Sequence, residues 1–129
     1  MKKLLLLLLF IPLVFGCSGS EDSPITLTIE NKDAVAERVF EVKLVGYEFL
    51  NLNIDAGSSK TFTLATGING GISNVNVDIR VLCSNTVTYK KSISVNFTEG
   101  QNTTIRMTDK DPNDTTPMNC GDSIWSIIP

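Results

Sequence analysis

Three cysteines and one lysine that falls out of phase with its neighbours are the residues of this 129-residue chain whose chemistry stands out. The chain has no His, which excludes a Ser-His-Asp triad, a Cys-His pair and any His-ligated metal site. Without an imidazole to activate a thiol, a catalytic cysteine is disfavoured. Cys17, Cys83 and Cys120 therefore point to covalent attachment and cross-linking. Lys91 lies among the inward residues of its segment. A buried cation there would be a candidate for chemistry, but no second catalytic group accompanies it. A bulge, or a strand end from which the stem reaches solvent, is the plainer reading. Gly67-Ile68-Asn69-Gly70-Gly71 lacks the Lys and the following helix of a phosphate loop. These residues give no catalytic constellation and no cofactor, and the expectation is a protein that is not an enzyme.

Cys17 acquires a meaning from what precedes it. Met1-Lys2-Lys3 is a short positive start, and Leu4 to Phe15 is a twelve-residue apolar stretch interrupted by Pro12. As a helix it would cover about 18 Å, short of the ~30 Å hydrocarbon core of a bilayer, so it reads as an export signal and not as a span. It ends in Val14-Phe15-Gly16-Cys17, which resembles a bacterial lipobox. Gly16 and Cys17 fit the two stricter positions, whereas Val14 and Phe15 depart from the commonest residues at the other two. The resemblance implies cleavage before Cys17, a diacylglycerol on its thiol, and the bilayer as a partner through that lipid. At ~0.8 kcal/mol per buried CH₂, two or three acyl chains hold a protein on a membrane essentially permanently. Ser18-Gly19-Ser20-Glu21-Asp22 is a solvated tether, similar to the export tract of surface-displayed lipoproteins in the Bacteroidota. That likeness implies an outer-membrane lipoprotein exposed at the cell surface, with a periplasm-facing position as the alternative. Without residues 1–16, nine cations face 14 acids, for a net charge of −5. An acidic chain with three Arg is a poor partner for nucleic acid.

The elements that must position the remaining residues are strands. Seven segments alternate apolar and polar residues: Ile25–Glu30, Phe40–Leu44, Leu50–Asp55, Thr61–Leu64, Asn74–Cys83, Val87–Phe97 and Thr103–Met107. Period-two patterning puts one face on a core and the other in water. With turn residues about every ten positions, it predicts an all-β fold, an antiparallel two-sheet sandwich of about seven strands, immunoglobulin-like or transthyretin-like. The rival element is a helical turn over Asp33 to Arg38. Because the inward residues of strands five to seven are odd-numbered, direct hairpin partners must sum to an even number. A three-residue loop, Ser84 to Thr86, then pairs Val81 with Tyr89 and Val77 with Ile93. It also sets Arg80 opposite Lys90, a like-charge pair that argues for strands five and six in different sheets. The same arithmetic makes Thr98 to Asn102 a loop that pairs Val95 with Ile105. Phe40, Leu44, Leu52, Phe62, Val77, Ile79, Val81, Val95 and Ile105 are expected among the most buried side chains. A packed sandwich of this size is expected to leave no interior pocket, so binding falls to loops or tail.

With Cys17 assigned to lipid, Cys83 and Cys120 form an even pair in an oxidising compartment and are expected to be disulfide-bonded. Two free thiols, with Cys83 buried, are the alternative. The bridge would pin the last segment to the end of the fifth strand. The chain then divides into 1–16, signal; 17–24, lipidated Cys and tether; 25–108, sandwich; and 109–129, C-terminal segment. In that segment Asp109-Lys110-Asp111-Pro112-Asn113 is similar to the start of an EF-hand loop. Asp114 stands where that loop has Gly, and Cys120 where it has Glu, so a polar turn without metal is expected. Asp114-Thr115-Thr116 and Asp122-Ser123-Ile124 are similar to the O-glycosylation acceptor of exported Bacteroidota proteins, which makes Thr115 and Ser123 candidates. Trp125, the only Trp, is either an exposed anchor or, preferably, part of an eighth strand or plug. Tyr47, placed in the loop after the second strand, and Trp125 are the candidate binding residues. The expected function is a non-catalytic interaction module at the envelope. Protein contact comes first, and a surface glycan is the alternative. Two of Tyr47, Tyr89 and Trp125 coplanar on one rim would favour the glycan.

Overall fold

The structure, a computed structural model, describes residues 23–129 except 35–36, 66–70, 84–86, 111–112 and 114–118. The signal, Cys17 and the tether through Asp22 lie outside the described residues, as does Thr115. Eight strands follow in order: β1 (Ile25–Asn31), β2 (Glu37–Leu44), β3 (Tyr47–Phe49), β4 (Ser58–Ala65), β5 (Ile72–Cys83), β6 (Val87–Phe97), β7 (Asn102–Thr108) and β8 (Ile124–Ile128). They form two four-stranded sheets, ordered β4-β1-β7-β8 and β3-β2-β5-β6, packed as the β-sandwich that the alternation predicts. Ile25, Leu27 and Ile29 of β1 and Ile105 and Met107 of β7 meet Val39 and Val42 of β2, Val77, Ile79 and Val81 of β5, and Val95 of β6 in one core. Eight of the nine side chains expected to be buried lie in that core.

The exception is Phe40. A bulge between Val39 and Glu41 leaves Phe40 without a partner on β5, and its side chain is only partly buried. The extra residue reverses the phase of the strand, so Val39 takes the inward position and Val42 and Leu44 resume it. The same bulge explains the displaced third strand. The Phe40 carbonyl accepts from Leu52 N–H at 2.9 Å, and Val39 exchanges both backbone bonds with Ile54. Residues 50–54 therefore run beside β2 through a single bridge, Val39 to Ile54, with Leu52 and Ile54 buried and Leu50 half-exposed. The regular third strand is β3, and Tyr47 belongs to it and not to a loop. Glu37 and Arg38 open β2, so the helical turn expected through Arg38 does not form across them.

The expected pairing of Val81 with Tyr89 and Val77 with Ile93 is present, and β5 and β6 share a sheet. Arg80 and Lys90 are neighbours, but each is paired with an acid: Arg80 with Glu41 at 3.6 Å, Lys90 with Asp78 at 2.9 Å. The expected pairing of Val95 with Ile105 does not occur. After Phe97 the chain crosses to the other sheet, where β7 runs parallel to β1 and antiparallel to β8, so one pair of the sandwich is parallel. Alternation says which side of a strand is inward, and a residue facing the core from either sheet satisfies it equally.

Two ends of the sandwich follow from these registers. At one end lie the start of β1, the ends of β4 and β6 and the start of β5. At the other lie Asn31, Glu37, Cys83 and Ile124. Asn31 is wholly buried at the second end. Its amide donates to the carbonyls of Glu37 at 2.8 Å, Ile54 at 3.3 Å and Ala34 at 3.4 Å, while its oxygen accepts from Ala34 N–H at 3.0 Å. That knot holds the connection from one sheet to the other and binds backbone groups at this end of the sandwich.

Candidate functional site

The expected bridge is formed at the second end, with Cys83 and Cys120 Cα atoms 5.6 Å apart, within the span a disulfide requires. Beside it Glu37 is buried to 3% exposure. Its Oε1 accepts from Gly121 N–H at 3.0 Å, and its Oε2 accepts from the hydroxyls of Tyr89, at 2.8 Å, and Ser123. The Tyr89 and Ser123 oxygens are 2.9 Å apart. Burial pushes the Tyr89 phenol above its ordinary value, and Glu37 adds to that shift. A buried carboxylate with this many donors is satisfied. Glu37 stands on β2 and its partners come from β6 and the tail, so the cluster ties the tail to the sandwich. The Ser123 hydroxyl is engaged within it.

Trp125 lies in β8 opposite Met107 and packs partly buried against the core. It is the eighth strand of the sequence reading and not a free anchor. Tyr47 also packs against the core, stacked on Phe49 at 6.2 Å between ring centroids, with Phe49 on Phe62 at 4.2 Å. Tyr47 and Trp125 stand towards opposite ends of the molecule and share no rim, whereas Tyr89 stands at the end of Trp125 with its hydroxyl engaged by Glu37 and Ser123. Lys91 faces the inward side of β6 yet is exposed, because β6 is an edge strand. It is neither a bulge nor a strand end. Several surface charges pair along the sheet. Glu48 and then Glu41 hold the Lys43 ammonium above its usual range, and hydrogen bonds from Lys90 and then Ser92 hold the Asp78 carboxyl below its own. Among the described residues no group of three or more metal-ligating side chains assembles. Of the EF-hand-like run, Asp109 is engaged through its backbone with Asp33 at 2.6 Å, while residues 111–112 lie outside the described residues.

Sequence reasoning missed a cavity of about 400 Å³ at the first end of the sandwich. It is an open hollow at the strand ends and not a pocket inside the core. Its floor is made by Leu44, Leu64, Val75 and Phe97, all nearly buried, and its rim by Val45 and Ile72. No charged side chain lines it. Two local features hold it open. The register slips between Ile72 and Val75, where Asn74 adopts φ 56° and its N–H donates to Asn96 Oδ1 at 2.8 Å. Next to it Gly71 has φ 86°, and a Cβ there would lie 2.0 Å from the Phe97 carbonyl oxygen, so the position admits only Gly. The signal available beforehand was Val45-Gly46, an apolar residue at a turn, where polar residues are usual.

The two edges of each sheet differ in a way that bears on contacts. Isolated edge strands are guarded by charge, Pro or brevity. β4 carries Lys60, β6 carries Lys90 and Lys91, and β3 is three residues long. β8, Ile124-Trp125-Ser126-Ile127-Ile128, carries no charge, and Ile124 and Ile127 are 51% and 45% exposed. Among the described residues β8 pairs on one side only, with β7. Comparison with protein-family models, with curated proteins and with solved structures finds no match.

Proposed function

We propose that this chain is a lipid-anchored, non-catalytic interaction module of a bacterial outer membrane, displayed at the cell surface, whose contact is with an extended segment of another envelope protein. The single observation that carries the contact is the unguarded edge of β8. Its outer backbone groups, without a strand partner among the described residues, and two exposed isoleucines offer a template on which a partner adds a strand, with main-chain bonds for affinity and alternate side chains for specificity. The anchor is supported by Val14-Phe15-Gly16-Cys17 after a positive and then apolar start. The non-catalytic reading is supported by the full engagement of Glu37, the one charged side chain that is buried among the described residues. Tyr47 and Trp125 at opposite ends favour protein over glycan.

The test has two arms. Cys17→Ala is expected to remove the protein from the membrane fraction or to leave uncleaved precursor. Processing and membrane retention like wild type would sink the anchor. For the contact, a photo-crosslinking residue replaces Ile124 in one strain and Lys60, on the guarded edge, in another. A discrete cross-linked product from position 124, absent from position 60 and lost on Ile127→Lys with unchanged melting, is the expected result. Equal behaviour of the two edges would reject β8 as the contact.

A further inference from the structure

We infer that the apolar cavity at the tethered end docks on the bilayer and receives an acyl chain of a membrane lipid. This rests on the lipid anchor proposed for Cys17 and goes beyond it, since an anchor alone says nothing about which face of the domain meets the membrane. Two observations place the cavity. β1 starts at the end of the sandwich where β4 and β6 finish, and Ser23 sits there against Gly100, so close that a Cβ on Gly100 would lie 2.9 Å from that of Ser23. Five residues lie between Cys17 and Ser23, a reach of at most about 22 Å when fully extended. A lipid on Cys17 therefore holds this end, and not the disulfide end, beside the bilayer.

The chemistry of that end suits hydrocarbon. Val45, 84% exposed at the tip of the β2–β3 turn, and Ile72 form an apolar rim. Exposed aliphatic side chains at a tip are unfavourable in water and favourable in the acyl boundary of a membrane. Behind the rim the floor of Leu44, Leu64, Val75 and Phe97 is an apolar hollow with no charge to neutralise. Among the described residues the polar lining comes from Ser73 and Asn74 on one wall and from Tyr47. A straight hydrocarbon chain entering past Val45 would meet apolar atoms along most of its path, and a polar or charged ligand would have few groups to satisfy it.

The experiment uses the mature full chain, extracted from membranes and reconstituted into phosphatidylethanolamine–phosphatidylglycerol vesicles with or without brominated acyl chains. Wild type supplies its own reference, because its single Trp, Trp125, lies in β8 away from the tethered end. Val45→Trp adds a second indole on an exposed tip, where folding tolerates it. Brominated chains are expected to quench about half or more of the added emission while leaving wild-type emission unchanged. A photoactivatable acyl lipid in the same vesicles is expected to label the peptide containing Ile72 and to lose that label on Leu64→Trp, which fills the hollow. Vesicle-bound protein with unquenched emission from position 45 would overturn the docking and leave the anchor intact. Quenching without acyl labelling would confine the contact to the rim and overturn the cavity as a lipid site. Wild-type protein that takes up no labelled palmitate and stays soluble would overturn the anchor, and the docking with it.

Discussion

Glu37 does at the residue scale what no repeat in the sequence announces. A carboxylate that is 3% exposed survives because Gly121 N–H and the Tyr89 and Ser123 hydroxyls replace its hydration. Tyr89 carries the titratable consequence. Burial raises its folded pKa above the ordinary 10.0. Below pH 10 the phenol is neutral in both states and its contribution to stability is complete. As pH rises past 10 the unfolded chain loses the proton first, so stability falls until the folded pKa is reached. One proton limits the slope to about 1.4 kcal/mol per pH unit, and the part-exposed ring keeps it below that. Tyr89→Phe is expected to melt about 1 kcal/mol lower at pH 7 through its lost hydrogen bonds and to flatten the decline between pH 10 and 11.5. Melting curves of the two proteins across that range check it. A parallel decline in both would remove Tyr89 as the cause.

At the scale of elements, β8 and its connection are the part of the sandwich most dependent on a covalent bond. β7 holds β8 by a five-residue register, and the polypeptide between them passes Cys120, which the bridge fixes to the end of β5 across 37 residues. Closing a loop of that size contributes about 2–4 kcal/mol through the unfolded state, a sizeable share of the 5–15 kcal/mol typical of a domain. Cys83→Ala and Cys120→Ala should each lower stability by about that amount, and the double variant by little more than either. Denaturant titrations of the three variants test this. Full additivity, or two thiols titrating in the exported protein, would contradict it. The bridge and the Glu37 cluster sit side by side, so loss of the bridge is also expected to loosen the hydroxyl contacts of Ser123.

For the whole molecule the distinction that matters is between its two ends. One end is stapled by the disulfide, Asn31 and Glu37. The other is apolar, hollow and adjacent to the chain's entry. Under the proposed anchor the stapled end faces away from the bilayer and the β8 edge runs along the flank between the two ends, which leaves the strand template open to partners and keeps the apolar mouth on lipid. Protease treatment of intact cells is then expected to remove the protein, by cutting in the acidic tether before Ile25 if not within the domain. Complete protection until the outer membrane is permeabilised would place the same molecule on the periplasmic face.

Period-two alternation, read along the chain by itself, determined the all-β class, six of the eight strands in outline and most of the core. Each of those properties depends on neighbours a few residues apart. Parity of the cysteines determined the Cys83–Cys120 bridge in the same way, since two thiols remained once Cys17 was assigned. The tail's hydrophobicity made an eighth strand the better reading for Trp125. Other features were not legible. The bulge at Phe40 hides inside a stretch that alternates correctly on paper, and it is decided by the Leu52 and Ile54 backbone that reaches β2 from a distant segment. The crossing from β6 to β7 was read as a hairpin, because an inward phase is identical whichever sheet supplies it. Asn31 and Glu37 look like ordinary polar residues until the tertiary fold removes water from both and brings carbonyls, hydroxyls and an N–H to within bonding distance. The cavity lies between the end of β4, the start of β5, the end of β6 and the β2–β3 turn. That volume is a property of facing sheets, and no single strand's pattern contains it.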